Sequence, residues 1–199
     1  MARRVFFSFH YIPDNWRAAI VRNGWVTKDR EDAGFFDSAD WEEARKKSEI
    51  ALKSFIGKQL NGTSVTCVCV GTETTFRRWV RYEIQRSFVE GRGLVATRVH
   101  KLKNSEGKTA LRGSNPFEDL KVELLEEGAN GQLWEYNYSA KKWVKSLDYP
   151  DPFPMNGLPW KLSKSSQMSD LFKIYDYVDD DGYNKLGDWI EAAAKQAGR

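Results

Sequence analysis

The segment FRRWVRYEI, residues 76–84, carries the side chains best placed to do chemistry. Trp79 and Glu83 are four apart, which sets an indole and a carboxylate on one face of a helix. One reading of that pair is a grip on a flat heterocycle and its sugar hydroxyls. The other, commoner for such spacing, is that Trp79 packs in the core while Glu83 pairs with Arg78, Arg81 or Arg86. Arg77, Arg78 and Arg81, at the start of the same helix, suit either a pyrophosphate or surface ion pairs. Other candidates are weaker. Asp179-Asp180-Asp181-Gly182 suggests a calcium loop, but with Gly182 as the loop's glycine, its first position is Tyr177 and its last is Asp188 in place of glutamate. Cys67 and Cys69 lie two apart in an apolar run, share one strand face and read as small buried hydrophobes. Neither GxGxxG nor GxxxxGK[ST] occurs, so the phosphate cradles of a Rossmann site and a P-loop are both missing.

The elements that must position these residues alternate. Residues 5–9 form a bounded apolar run rich in β-formers, followed by the polar cluster His10, Tyr11, Pro13, Asp14 and Asn15 and then a helix. A second run, residues 34–37, precedes a helix expected over about residues 40–55, with Asp40 and Glu43 as a capping box and Trp41, Ala44, Ser48, Ala51 and Phe55 at helical spacing. Residues 64–70 expose few polar groups on either side and read as a central parallel strand. The helix with Trp79 and Glu83 spans about 76–90, stopped by Gly91, and a fourth strand covers 94–99. The order β, α, β, α, β, α, β is that of a doubly wound, flavodoxin-like α/β fold, a parallel sheet flanked by helices. Ligands in such sheets sit at the carboxyl ends of strands. That rule selects Ser8, Phe9, His10 and Tyr11 after the first strand, Phe36, Asp37 and Ser38 after the second, and residues 71–75 after the third. His10 equally suits loop hydrogen bonding, and Asp37 equally suits helix capping.

Beyond residue 99 the rhythm changes. Lysine-bearing residues 101–115 read as an exposed loop or short hairpin, residues 132–138 and 141–145 as an antiparallel hairpin, and residues 166–197 as a terminal helical region. The expected organisation is a core over residues 1–120 and an integrated C-terminal extension, hairpin plus terminal helices, over 121–199 that does not fold independently. Trp134, Tyr136, Tyr138 and Trp143 are expected to weld the extension to the core, and Phe9, Phe36 and Trp79 to surround the pocket.

Composition narrows the class. The 199 residues suffice for a sizeable core, and 31 Lys+Arg against 28 Asp+Glu leave a net charge of +3, too balanced for nucleic-acid binding through bulk charge. Two cysteines exclude a disulfide framework and fit a reduced, cytoplasmic setting. No stretch approaches a membrane span, and the start lacks a signal-peptide core. Two histidines and two strand cysteines leave few ligands for a transition metal.

The stretches RRVFFSFHY (3–11), FFDSADWEEA (35–44), TSVTCVCVGTETTFRRWVRYEI (63–84), SNPFEDL (114–120) and IYDYVDDDGYNKLGDWI (174–190) resemble the bacterial TIR-like ThsB family of Thoeris antiphage defence. The WxxxE placement after the third strand is the most specific element. The loop WVTKDREDAGFF lacks the pattern of receptor-type TIR domains, so their mode of assembly does not carry over.

That resemblance implies an NAD+-consuming enzyme without a cofactor, NAD+ being the substrate. Glu83 would be catalytic, with Ser8, Phe9, His10, Phe36, Asp37 and Trp79 binding NAD+. Its product would be a cyclic ADP-ribose isomer that activates an effector protein, its trigger a phage component, and a homo-oligomer is compatible. The competing reading is a non-enzymatic TIR-like adaptor that uses the fold as a docking surface.

Overall fold

The computed structural model describes residues 3–26, 43, 44, 46–125 and 128–199. The expected second strand at 34–37, with Phe36 and Asp37, and the Asp40 and Trp41 part of the capping reading therefore lie outside the described residues.

Strand β1 (Val5–Phe9) is buried throughout and runs through one residue, His10, into helix α1 (Tyr11–Val26). Pro13 fits the first turn, where helix N–H groups lack partners anyway, and Asp14 adds favourable negative charge there. Helix α2 (Glu49–Leu60) corrects the expected helix over 40–55. Residues 43, 44, 46 and 47 are helical, but Ser48 turns extended at φ −176° and its hydroxyl accepts from Ala51 N at 3.1 Å. A serine in the middle of a helical periodicity has here become the N-cap of a new helix.

Strand β2 (Val65–Val70) follows, then a short 3-10 turn (Thr74–Phe76), and then α3 (Arg78–Val89), which starts later than expected because of that turn. Gly91, at φ +63°, closes α3. Its N–H donates to Phe88 O at 3.1 Å and Arg92 N–H donates to Ser87 O at 2.8 Å, a left-handed C-terminal motif that admits glycine most readily. The chain then enters β3 (Gly93–Arg98).

After β3 come β4 (Leu120–Leu125), β5 (Asn130–Asn137), β6 (Lys142–Lys145), β7 (Phe153–Pro154), β8 (Ser165–Gln167), the single turn α4 (Met168–Leu171), β9 (Ile174–Asp176) and α5 (Gly182–Gln196). The terminal region is thus not helical throughout: β8 and β9 precede the long helix. Asp181, at φ 55°, stands at the head of α5, so the acidic run forms a turn into that helix.

Among the described residues the parallel sheet has the order β1-β2-β3-β9, with Ser8 opposite Val68, Cys67 opposite Val95 and Thr97 opposite Tyr175. This is the expected α/β class, a parallel sheet flanked by helices, but its β9 edge comes from residues read as helical. The expected hairpin exists as β5 and β6, with Tyr136 opposite Trp143. It belongs to a larger antiparallel sheet of order β6-β5-β4-β8, with β7 also on β5.

Two apolar clusters hold the layers together. One joins Phe7, Cys67, Cys69 and Val95 to α1, α2 and α5, and the other joins Val68, Val70, Ile84 and Phe88 to Phe117, Leu120, Val122, Leu133, Trp160 and Phe172. The aromatic alternation of β5 therefore faces the opposite way from expectation. Leu133 is fully buried and Glu135 is held by Gln85 of α3, whereas Tyr136 meets Tyr138 and Trp143 across the sheet's other face. Lys121 lies over the rings of Trp134 and Trp143 there, at 5.3 and 4.9 Å. Alternation identifies two faces but not which one meets α3. The partner's polar groups, Gln85 and Arg81, made the side of Glu135 the inner one.

No helix among the described residues is long and apolar enough to cross a membrane.

Candidate active site

Ser8 is the fourth residue of β1 and fully buried. Its hydroxyl donates to Glu83 Oε2 at 2.5 Å, joining the carboxyl end of β1 to the middle of α3. Glu83 is only 3% exposed, and burial pushes its carboxyl up to about 8 despite the opposing pull of the Ser8 hydrogen bond. Ser87, one turn on, donates to Glu83 O at 2.7 Å and meets Thr66 of β2 at 2.7 Å, which fixes α3 against the sheet at the height of the carboxyl group.

The arginines expected to neutralise Glu83 are engaged elsewhere. Arg78 binds both oxygens of Glu49 and those of Asp148, Arg81 binds Asp119 and Thr75 O, and Arg86 binds Glu90, Tyr82 and Lys53 O. Arg77 pairs with Glu73. Of the two readings of the helix pair, the arginine partnership for Glu83 is absent among the described residues. A buried carboxyl group with a hydroxyl partner and no cation among the described residues is costly to ionise, and groups perturbed in this way cluster at functional sites.

Trp79, one turn before Glu83, is half-buried. Its ring meets Tyr82 edge-on with centroids 5.9 Å apart, lies under the Arg78 guanidinium at 4.8 Å, and packs against the apolar cluster that contains Phe9. Trp79 thus takes part in the core and still keeps an open side. Phe9 is buried, with its ring 6.1 Å from that of Tyr11. His10 accepts from Asp14 N through its carbonyl at 3.2 Å, while its buried Nδ1 has no hydrogen-bond partner. Burial first, and then the Arg77 charge, hold its imidazole below the usual histidine range, so the ring is neutral at pH 7.

Two buried groups at the strand ends were not singled out in the sequence. Asp14 is pushed up to about 6 by burial, against the Arg17 guanidinium 3.6 Å away and the Thr74 hydroxyl, which donates to it at 3.4 Å. Arg17 donates to Leu102 O at 2.8 Å, Lys108 O at 3.0 Å and Pro13 O at 3.0 Å, so it pins the loop after β3 to α1. Gly71, at the end of β2, makes room for this: a Cβ there would overlap the Asp14 carboxylate. The polar content of the first helical turn signals Asp14, but nothing in the spacing shows that Arg17 is buried.

The structure therefore brings Ser8 to Glu83, places Trp79 one helical turn away, and sets His10 two residues past Ser8 at the sheet's carboxyl edge. Residues 6–104 match the family model described as "Thoeris protein ThsB, TIR-like domain". The chain is also 42% identical over 194 residues to a Bacillus cereus (strain MSX-D12) protein named "Putative cyclic ADP-D-ribose synthase ThsB1", covering 96% of this chain and 100% of that one. This chain belongs to the ThsB TIR-like family. The family match over residues 6–104 takes in β1 from its second residue, β2, β3 and α3, with Ser8, Trp79 and Glu83, while the relative's match, over 96% of this chain, takes in most of the C-terminal segment as well.

Proposed function

We propose that this ThsB-family chain cleaves the bond between nicotinamide and ribose in NAD+ and closes the remainder into a cyclic ADP-ribose isomer. The observation that carries the reading is the buried Glu83 carboxyl group, held by Ser8 and paired with no arginine among the described residues. The relative's name supports the product class.

Departure of nicotinamide takes the electron pair of the C–N bond onto the ring nitrogen, leaving nicotinamide neutral and positive charge on the ribose. A carboxylate against the ribose hydroxyls stabilises that charge, and a neutral leaving group needs no dedicated acid. Burial alone keeps Glu83 protonated at neutral pH. The positively charged nicotinamide ring of NAD+ favours the ionised form, so the charge that cleavage requires is produced by the substrate's own arrival. The Ser8 hydroxyl orients the carboxylate. Trp79 and His10 line the nicotinamide riboside, with Phe9 behind them. Attack by a hydroxyl of the adenosine-side ribose, with loss of its proton, gives the cyclic isomer; attack by water gives linear ADP-ribose.

In this reading a phage component triggers the enzyme, the product activates an effector protein, and the chain works in the cytoplasm. Mass spectrometry of nucleotides from cells expressing the protein, with and without phage, tests it. A cyclic ADP-ribose isomer that disappears in Glu83→Gln is expected. Defence that persists in Glu83→Gln with no NAD+-derived nucleotide would establish the adaptor instead.

A further inference from the structure

A second polar cavity opens at the far edge of the parallel sheet, separated from β1 by β2. It has a volume of ≈ 280 Å³ and is lined by Arg98 and His100 from the end of β3, Arg112 from the following loop, and Asp176 from β9. Strand ends of a parallel sheet are where such folds place ligands, and the crevice here is shared between the core and the C-terminal segment.

Its lining sets three cations, Arg98, Lys101 and Arg112, against three carboxylates, Asp176, Asp179 and Asp180, but the two signs are not equally engaged. Asp176 Oδ1 accepts from Val178 N and Asp179 N, both at 3.1 Å, and Asp180 Oδ2 accepts from Asp176 N at 2.7 Å. Asp179 is taken by Lys101. Two of the three carboxylates thus serve the turn into α5, and the third pairs with Lys101. The two guanidiniums have no such outlet. Arg98 donates through Nε to Gly113 O at 3.3 Å, and Arg112 has no hydrogen bond or ion pair among the described residues. Burial and then the nearby Arg112 charge hold Arg98 below its usual range, against the pull of Asp176 and Glu118. Beside them His100 is 8% exposed, and its buried Nδ1 has no hydrogen-bond partner, 3.8 Å from Asp176 Oδ2.

The loop backbone carrying Arg112 is fixed. Ala110 N donates to His100 O at 2.8 Å, the Thr72 hydroxyl donates to Leu111 O at 2.8 Å, and Arg17 holds Leu102 and Lys108. Two arginines that line one polar cavity, near enough for the charge of one to act on the other, with the local carboxylates engaged by the turn or by Lys101, form a receptor for an anion with several acceptor oxygens.

We propose that this cavity, bounded by Arg98, His100 and Arg112, binds the phosphate group of a small phosphorylated molecule. Arg98 and Arg112 each donate to phosphate oxygens, and the remaining volume beside Asp176 and Asp180 accepts the alcohol portion. The bound dianion offsets the mutual repulsion of the guanidiniums and draws His100 back towards its ordinary range, against burial first and then the charges of Lys101, Arg112 and Arg98, which depress it, and alongside Asp176, which raises it.

Isothermal titration of the full chain with inorganic phosphate and, separately, with ribose 5-phosphate tests the site. Saturable binding at one site is expected, weakened roughly tenfold or more in Arg112→Gln, since a charge-assisted hydrogen bond is lost. Arg112 is exposed, so this variant keeps the fold and the rate of nicotinamide release, and Arg98→Gln provides the second measurement. Tighter binding of the sugar phosphate identifies the occupant as an ester, and equal binding identifies the phosphoryl group alone as what is read. The NMR titration of His100 is expected to move upward when phosphate is present. No saturable binding by the parent, or equal binding by parent and Arg112→Gln, overturns the proposal.

Discussion

Ser8 and Glu83 meet through a 2.5 Å hydrogen bond although 75 positions separate them in the chain. One end of this bond is a parallel strand locked on both sides of its pleat, and the other is a helix locked to the same sheet by Ser87 and Thr66. The carboxyl group is therefore held by two rigid elements, the arrangement that a reactive group needs to stay in one orientation.

Because burial raises Glu83 to about 8, kcat/KM for nicotinamide release is expected to climb with pH and level off above about 8. That ratio reports ionisation in the free enzyme, and the active form is the carboxylate. Ser8→Ala removes the interaction that lowers this value, so the rising limb should move roughly one to two pH units higher. An unshifted limb would separate Glu83 from the chemistry.

The same burial makes a stability prediction of definite sign. The folded state keeps its proton up to about 8 while the unfolded chain loses it near 4.5, so the folded state loses ground as pH rises between those values. Glu83→Gln, which resembles the protonated group, should be more stable than the parent at pH 9, by on the order of 4 kcal/mol, and little different at pH 4. Asp14, raised from 3.8 to about 6, adds a decline of the same sign at the acidic end of that range. Urea denaturation of parent and variant at pH 4, 7 and 9 measures the difference.

Trp79 keeps part of its ring outside the core, so its replacement separates packing from substrate contact. Trp79→Phe should retain the fold and most activity, with KM raised a few-fold through reduced ring area. Trp79→Ala should raise KM further and lower the melting temperature. Steady-state kinetics with NAD+ beside thermal melts read the two effects, and unchanged KM in both variants would leave Trp79 a core residue only.

Gly71→Ala forces a methyl group into the Asp14 carboxylate. Destabilisation of about 1–3 kcal/mol is expected. Asp14→Ala introduced with it should restore part of the loss. A double-mutant cycle by chemical denaturation checks the coupling, and strictly additive effects would contradict it.

How far the sequence could be read depended on how local the signal was. The apolar runs at 5–9 and 65–70 and the Trp79 and Glu83 periodicity are local, and β1, β2 and α3 formed there. Ser48 was indistinguishable from any residue at helical spacing, because its capping role depends on a backbone that turns extended at that point. Strand β9 is three residues long and half-buried, and only its pairing with Ala96, Thr97 and Arg98 makes it a strand. The inward face of β5 was likewise settled by α3, which offered Gln85 to Glu135. At the site, the spacing placed Trp79 and Glu83 on one helix, but the assignment of each arginine to another partner required the fold.

Because β9 lies on the open side of β3, a ribosome must deliver residue 176 before the parallel sheet acquires its last described strand. Until then β3 presents an unpaired edge, the template on which nascent chains associate with one another. The decisive step of folding is therefore expected only once residue 176 has left the ribosome. Cutting the gene after the loop that follows β3 should yield inclusion bodies, in which the missing strand is replaced by neighbouring copies of the same fragment.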